Sequence, residues 1–455
     1  MAALNNKSLG HSVFRTRLLV GAGLLAACAV ARPMDLMQAY DAARQTDAVL
    51  LASRSAAEAG RERLPQAKAQ LLPNVGASLS RNQKQLESAT PGLMGIEQTA
   101  TSRYGSSNAT LSLRQPLYRP FQRALVRQAQ AQVNDSDAAL LRDEQNLAVR
   151  VGSAYFEALL AGDQLELVLM QKSVYTRQLD GARKALVAGS GIRTDVDEAQ
   201  ARLDMVVAQE LEARQNLEYT RRQLEVMVSQ SPGVLATLDV QKLVLDPLSA
   251  RQLDDWTARA EQSSPDVVQL KAQLEAAREE VVKSRAGHLP TLDGVLQWTR
   301  SESENVLAPK SRYTDTSVGL QLSIPLYSGG AVDSAVRQAI ANVNRAEQQL
   351  EAARRDLGVR VHKEFRGVTE GVPRIRALEQ AVLSADQMVL SSRKSFQAGT
   401  RTVLDVLNAE QQRMVVLRDL SQARYLYLVS KIRLLALVGA ADAVAMSEIN
   451  SVLKP

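Results

Sequence analysis

Nucleophilic and metal chemistry need a few side-chain types held at fixed spacings, and this chain offers few of them. It contains three histidines and one cysteine. Beyond the first 31 residues only His288 and His362 remain, far apart in the pattern. No His-Glu-x-x-His pair and no Gly-Lys-Ser/Thr phosphate loop is present. Gly189-Ser190-Gly191 lies in a turn signal with no strand before it, so it is not a nucleotide fingerprint. No catalytic residue is assigned, no cofactor or metal is expected, and the chain does not read as an enzyme. The informative polar spacings are of another kind. Thr194-x-x-Asp197 and Thr402-x-x-Asp405 both read as capping boxes, in which a hydroxyl and a carboxylate satisfy free N–H groups at a helix start. An acid in the first turn also suits the helix dipole. Each box follows a glycine, Gly189 or Gly399, suited to the backbone geometry of a sharp turn.

The elements that position these residues occur twice. Residues 188–196, AGSGIRTDV, return as 398–406, AGTRTVLDV. Gln115-Pro116-Leu117-Tyr118 returns as Ile324-Pro325-Leu326-Tyr327, and Leu72-Pro73-Asn74-Val75 as Leu289-Pro290-Thr291-Leu292. Three landmarks in one order mark a tandem duplication of a large unit rather than a solenoid of short repeats.

Apolar residues recur at helical spacing from Asp35 to Leu71, and Pro73 stops that pattern. Val75, Ala77 and Leu79 then alternate with Gly76, Ser78 and Ser80, the period of a strand. A polar loop around 89–95 and a second alternating stretch, Ala109, Leu111 and Leu113, complete a hairpin over 74–115, closed by Pro116. The second unit repeats this over 291–324. Pro290 precedes it, Gly294, Leu296, Trp298, Val318, Leu320, Leu322 and Ile324 supply the alternation, and Pro325 closes it. Each hairpin leads into a helical pattern, about 121–187 and 332–397, that would reach roughly 100 Å. Leu378, Val382, Ala385, Val389 and Ser392 show the near-3.5 spacing of coiled-coil packing. Gly371 and Pro373 mark a kink or break in the second. Return helices follow to about Val228 and Val438. The Pro-containing stretch 231–264 has one short helical signal near 252–261 and is expected to pack with the chain termini as a mixed belt.

The bulk numbers fit long helices. Aromatics make up 4% of the chain, too few for ordinary rounded cores. The net charge is +6, but Lys7, Arg15 and Arg17 carry three of those charges, and removing them leaves +3. The other charges alternate in sign with no long basic run, so no nucleic-acid surface is expected. Those three cations, the apolar run Leu18–Ala27 and Ala29-Val30-Ala31 form a secretory signal over 1–31. Its apolar run is too short to span a bilayer, and no later segment is long and charge-free enough. Leu25-Ala26-Ala27-Cys28 resembles a lipoprotein box, although helical pattern from Asp35 leaves little tether for a lipid anchor.

Four amphipathic strands cannot close a barrel alone, and an open sheet in hydrocarbon would leave backbone groups unpaired at several kcal/mol each. Closure requires copies. Two, three or four copies give eight, twelve or sixteen strands, and strand periodicity does not choose among them. Tyr104, Tyr118, Trp298, Tyr313 and Tyr327 flank the strands and suit either membrane interfaces or packing at strand ends.

The order of helix, Leu-Leu-Pro, hairpin, Pro-Leu-Tyr, long helix, glycine turn and return helix, all duplicated, resembles the TolC family of outer-membrane efflux channels over about residues 35–440. Residues 399–407, GTRTVLDVL, match that family's second helical turn closely. The resemblance implies a mainly α fold with a small β part: a homotrimer whose duplicated coiled-coil helices form a periplasmic tunnel, continuous with a twelve-stranded outer-membrane barrel of four strands per chain. It divides the chain into signal peptide 1–31, first repeat 32–230, linker 231–264, second repeat 265–440 and tail 441–455.

The resemblance also implies a gate at the helical turns. There Arg401 is the cationic latch, Thr194 and Asp195 are its partners, and Asp405 faces the axis, although capping alone also accounts for Asp405. Phe396 stands where the family pattern has a tyrosine, and Asn408 where it has a second inward aspartate. Both departures point to a looser, less cation-selective gate. The implied partners are a periplasmic adaptor, an inner-membrane ABC or proton-driven transporter, and outer-membrane lipid. The function favoured is the exit duct of type I protein secretion. Drug or metal efflux is the alternative, and a periplasmic coiled-coil adaptor or scaffold a third reading that the strands disfavour.

Overall fold

The computed structural model describes residues 33–91, 97–245, 252–305 and 308–454. The expected signal peptide with Lys7, Arg15, Arg17 and Cys28 lies outside the described residues, as do Pro247 and parts of both polar loops.

The first helical stretch is divided into α1 (Leu36–Thr46), α2 (Ala48–Arg61) and α3 (Arg63–Ala69). The pattern read as one helix breaks because Asp47 takes an extended conformation and caps α2, accepting from the Leu50 N–H at 2.8 Å. A short polar side chain that bonds its own backbone competes with helix continuation. Arg150 donates two hydrogen bonds to the same carboxylate and fixes the break.

Then come β1 (Asn74–Pro91) and β2 (Glu97–Tyr118), α4 (Pro120–Val187), α5 (Arg193–Val228), α6 (Leu253–Ser263) and α7 (Pro265–Arg285). The second unit follows with β3 (Thr291–Asn305), β4 (Ala308–Ser323), α8 (Ala331–Thr369), α9 (Gly371–Gln397), α10 (Val403–Leu437) and α11 (Ala443–Asn450). Helix α4 runs 68 residues without a break, about 100 Å at 1.5 Å per residue. Its counterpart is interrupted at Glu370, between α8 and α9. Pro373 has no N–H to offer the carbonyl four residues back, which accounts for the interruption.

The strands form one antiparallel sheet in the order β1-β2-β3-β4. The hairpins pair Val75 with Leu113 and Leu296 with Val318, and the β2–β3 pairing joins them through Leu113 and Leu296. One face therefore carries Val75, Ala77, Leu79, Leu111, Leu113, Leu296, Trp298, Val318, Leu320 and Leu322. The opposite face carries Ser78, Ser80, Ser112, Thr110, Gln297, Thr299, Ser317 and Gln321. Trp298 lies on the apolar face, whereas Tyr104 and Tyr313 lie on the polar one, so those two tyrosines do not flank the apolar belt as a membrane girdle would. Strand β2 also runs past Pro116 to Tyr118, with a register shift there. It does so because β1 begins only at Asn74, opposite Arg114, leaving β2 an open edge where proline is tolerated. Buried Asp293 joins sheet to helix: Arg114 of β2 reaches it at 2.5 Å, and Arg119, just before α4, donates to both of its oxygens.

The main core sits midway along the helices. Tyr155 and Phe156 of α4 meet Phe365 of α8, Ile375 of α9, and Tyr425 and Ile432 of α10 there, with Leu36 and Tyr40 of α1. Six aromatics, Tyr40, Tyr155, Phe156, Phe365, Tyr425 and Tyr427, are buried at this level, and the Tyr155 hydroxyl lies 2.9 Å from the carbonyls of both Met34 and Ala236. The linker and both chain ends meet here through bridges Met34–Leu235 and Leu238–Leu453. Close helix contact uses glycine: a Cβ on Gly152 would lie 2.5 Å from Ile432 Cδ1.

Candidate functional site

The gate and turn residues singled out in the sequence lie at the helical end farthest from the sheet. Two turns form it, α4 to α5 and α9 to α10, built alike. Gly189 has φ +74° and Gly399 φ +75°, a region that disfavours side chains. Around Gly189, its N–H bonds the Leu186 carbonyl and the Ser190 N–H bonds that of Ala185. Around Gly399, its N–H bonds the Phe396 carbonyl and the Thr400 N–H bonds that of Ser395. This paired arrangement satisfies carbonyls that a helix end leaves free.

The helix starts that follow differ. Thr402 is the N-cap of α10, and its box with Asp405 is complete: the Asp405 N–H donates to Thr402 Oγ1 at 3.2 Å, and the Thr402 N–H donates to Asp405 Oδ2 at 2.9 Å. The first-unit box at Thr194 and Asp197 does not form. Ile192 holds the N-cap position of α5 and has no oxygen to cap with. Counted from the two glycines, Asp195 occupies the place of Asp405, Thr194 lies within the first turn, and Asp197 pairs instead with Arg193 at 3.2 Å. Asp405 is exposed, and its pKa is held below the usual 3.8 by the Thr402 N–H and hydroxyl, with the nearby Arg401 charge adding to the effect.

Within the chain Arg401 does not reach Thr194 or Asp195. It donates to the buried Ser392 hydroxyl at 2.7 Å and so braces its own turn. Asn408 is an acceptor: Arg202 of α5 donates to its Oδ1 at 3.1 Å and to Gln411 Oε1 at 2.7 Å. Phe396 is 38% exposed. Beneath these polar contacts lies a small apolar cluster of Tyr175 from α4, Val206 from α5, and Val403 and Leu407 from α10. Sequence reasoning missed Arg202 and Tyr175. Both sit in periodic helices, and only the relative rotation of three helices shows that they meet α10.

The ties fall into two sets. Within α4–α5, Glu210 takes Lys172 at 2.7 Å and Arg214 at 2.6 Å. Within α9–α10, Arg393 pairs with buried Glu410, Arg413 with Asp386, and Arg424 with Glu379. Between the pairs the polar ties are fewer: Arg202 near the tip, and higher up the Tyr425 hydroxyl donating to Asp163 at 2.9 Å. The result is two stitched helical pairs, lightly joined near a tip that carries an exposed carboxylate.

The model of the family described as "Outer membrane efflux protein" matches residues 39–229 and 256–440. The chain belongs to that family. It is 35% identical to the alkaline protease secretion protein AprF of Pseudomonas aeruginosa, covering 93% of this chain and 88% of AprF. It is 32% identical to the proteases secretion protein PrtF of Dickeya chrysanthemi, covering 88% of this chain and 86% of PrtF. Among solved structures, the outer membrane protein VceC of Vibrio cholerae shares the fold at TM-score 0.72 and 18% identity, covering 89% of this chain and 96% of VceC. The TolC-like outer-membrane efflux fold expected from the duplicated landmarks is the fold found, and the protein is a channel of the outer membrane that extends into the periplasm, not an enzyme. Among the described residues no helix is long and apolar enough to cross a membrane. The amphipathic sheet is the membrane-compatible part.

Proposed function

We propose that three copies of this chain form the exit duct of a type I protein secretion system. The observation that carries the reading is the sheet: four amphipathic strands with β1 and β4 as open edges, too few to close alone. Set edge to edge, three copies give twelve strands around a polar lumen, an even number as such barrels require. Repeats 32–230 and 265–440 each supply one hairpin and one helical pair. Segments 231–264 and 441–455 form the belt, and 1–31 is removed as a signal peptide. The substrate class rests on two relatives named for protease secretion.

At the tip, Asp405 contributes one carboxylate per chain to a ring that concentrates cations and repels anions. Asn408 adds no second charge. Arg401, braced on Ser392, keeps N–H donors for the Thr194–Asp195 turn of a neighbouring copy, and Phe396 and the Gly189 and Gly399 turns shape the rim. Opening swings α9–α10 away from α4–α5 and breaks the Arg202 tie. A periplasmic adaptor that grips the tips supplies differential affinity for the open state. A groove of about 730 Å³ among α4, α5 and α10, lined by Gln171, Gln209, Asn216, Gln411 and Arg418, offers it a polar seat. An inner-membrane ABC transporter delivers the substrate. Drug or metal efflux through a proton-driven partner is the second reading, favoured by the family description itself.

Deletion of the gene tests both. Loss of one or more proteins from the medium with unchanged drug and metal tolerance supports secretion. An unchanged secretome with lowered tolerance overturns it in favour of efflux.

A further inference from the structure

The register of the sheet places a charged patch on the face that is otherwise apolar. Four cross-strand rows follow one another: Val75–Leu113–Leu296–Val318, Ala77–Leu111–Trp298–Thr316, Leu79–Ala109–Arg300–Thr314, and Arg81–Ser107–Glu302–Arg312. Rows are two residues apart, about 6.6 Å along a strand. The face thus changes from apolar to charged within one row of Trp298. An arginine facing hydrocarbon near the bilayer midplane costs about 2–4 kcal/mol, whereas tryptophan favours the membrane interface. The Arg300 and Arg81 rows therefore lie at head-group level. They lie at the end of the sheet away from the helices, the external side of the membrane.

The patch is concave. Strand β2 presents only Ala109, Ser107 and Gly105 along this stretch, flanked by Arg81 on β1 and by Arg300 and Arg312 on β3 and β4. Two adjoining hollows of about 450 and 650 Å³ result, with Arg81 and Glu302 lining both. Glu302 pairs with Arg300 at 3.2 Å and Arg312 at 2.5 Å and holds them side by side. The Arg81 side chain is exposed and makes no hydrogen bond or ion pair among the described residues. Three guanidiniums against one carboxylate leave an excess of two positive charges. Each guanidinium carries five N–H donors in a fork that fits phosphate, and Glu302 engages only some of them.

We propose that this trough binds the phosphate groups of a phosphorylated glycolipid of the outer leaflet, with Arg81, Arg300 and Arg312 as donors and the small β2 residues as its floor. The inference rests on the apolar face being the lipid-facing one. The source of the phosphate is taken to be lipid because the apolar rows continue directly below the trough, where acyl chains would lie. Native mass spectrometry of the purified full-length trimer tests this, with bis-phosphorylated lipid A and the same lipid dephosphorylated as probes. Binding at least tenfold tighter for the phosphorylated lipid is expected. The triple variant Arg81→Gln, Arg300→Gln, Arg312→Gln should lose that preference, and Lys84→Gln on the polar face should keep it. Arg81→Gln alone should weaken binding about threefold, which keeps the test open if the triple variant does not assemble. Equal binding of the two lipids, retained preference in the variants, or displacement of the lipid by millimolar inorganic phosphate overturns the proposal. Failure of the barrel reading looks different: a detergent-free soluble chain that retains neither lipid.

Discussion

Replacing Arg202 by alanine should shift the closed–open equilibrium of the tip by about two powers of ten. Arg202 donates to two neutral amides, Asn408 at 3.1 Å and Gln411 at 2.7 Å. Both acceptors are exposed, so each bond contributes about 0.5 kcal/mol, the low end for an intramolecular hydrogen bond. One chain then loses about 1 kcal/mol, and a trimer that opens as a unit about 3 kcal/mol. At 1.4 kcal/mol per tenfold, that is roughly 150-fold in the equilibrium. The apolar cluster of Tyr175, Val206, Val403 and Leu407 remains, so the closed state should persist as the majority. Single-channel recording in planar bilayers reads the effect as open fraction and conductance. A double-mutant cycle with Asn408→Ala isolates the pair, because a real contact couples the two sites. Arg401→Ser is the internal comparison: it frees the α9–α10 turn from Ser392 and should raise conductance through a different contact. An open fraction of Arg202→Ala within twofold of the parent, or strictly additive effects of Arg202→Ala and Asn408→Ala, would refute the tie.

Asp405→Asn should lower the cation-to-anion permeability ratio, measured as reversal potential in a salt gradient. The Thr402 hydrogen bonds favour the charged form of Asp405, and a loss of selectivity near pH 6 would point to another group. Asp163 behaves oppositely. Burial raises its pKa, with Glu166 adding to the shift and Tyr425, Ser421 and Arg424 opposing it. A carboxyl that binds its proton more tightly when folded contributes stability below the unfolded pKa, and that contribution is lost as pH rises through the folded value. Asp163→Asn, which keeps an acceptor for Tyr425, should therefore flatten the fall in melting temperature from about pH 4 upward; an unchanged pH profile counts against it.

Much of this architecture was legible because its signals are local. Proline before each hairpin, alternation in the strands, glycine at each turn and a break near Gly371 and Pro373 are properties of a few neighbouring residues. Where sequence reasoning failed, competing local chemistry or long-range geometry decided. Asp47 divided a helix that periodicity joined, because its carboxylate found both the Leu50 N–H and Arg150. Thr194 and Asp197 had the spacing of a capping box in the wrong phase, since Ile192 starts the helix. Tyr104 and Tyr313 lie within β2 and β4 rather than at strand ends, and the register turns them to the polar face. Arg202 carried no signal: an arginine in a polar helix is ordinary until α5 and α10 are placed side by side.

The two units share a plan, and their differences support α9–α10 as the moving part of the proposed gate. Helix α4 is an unbroken rod of 68 residues, and bending it would require breaking backbone hydrogen bonds. The second unit is already interrupted at Glu370, and Pro373 leaves the Thr369 carbonyl without a helical donor. The interruption lies at the level of the aromatic core, where a Cβ on Gly371 would stand 3.2 Å from the Tyr427 ring of α10. The pivot is thus packed against the return helix, and ion pairs at Glu379, Asp386 and Glu410 bind α9 and α10 along their length. In the proposed opening α9 turns about this preformed break and carries with it the part of α10 bound to it. Its outer end is the fully capped turn at Thr402, suited to keep its shape in the proposed opening, whereas the first-unit turn on α4–α5 has no side-chain cap. In the proposed opening the ties to be broken are the few polar ones between the pairs near the tip, chiefly those of Arg202, while the ion pairs within each pair are kept.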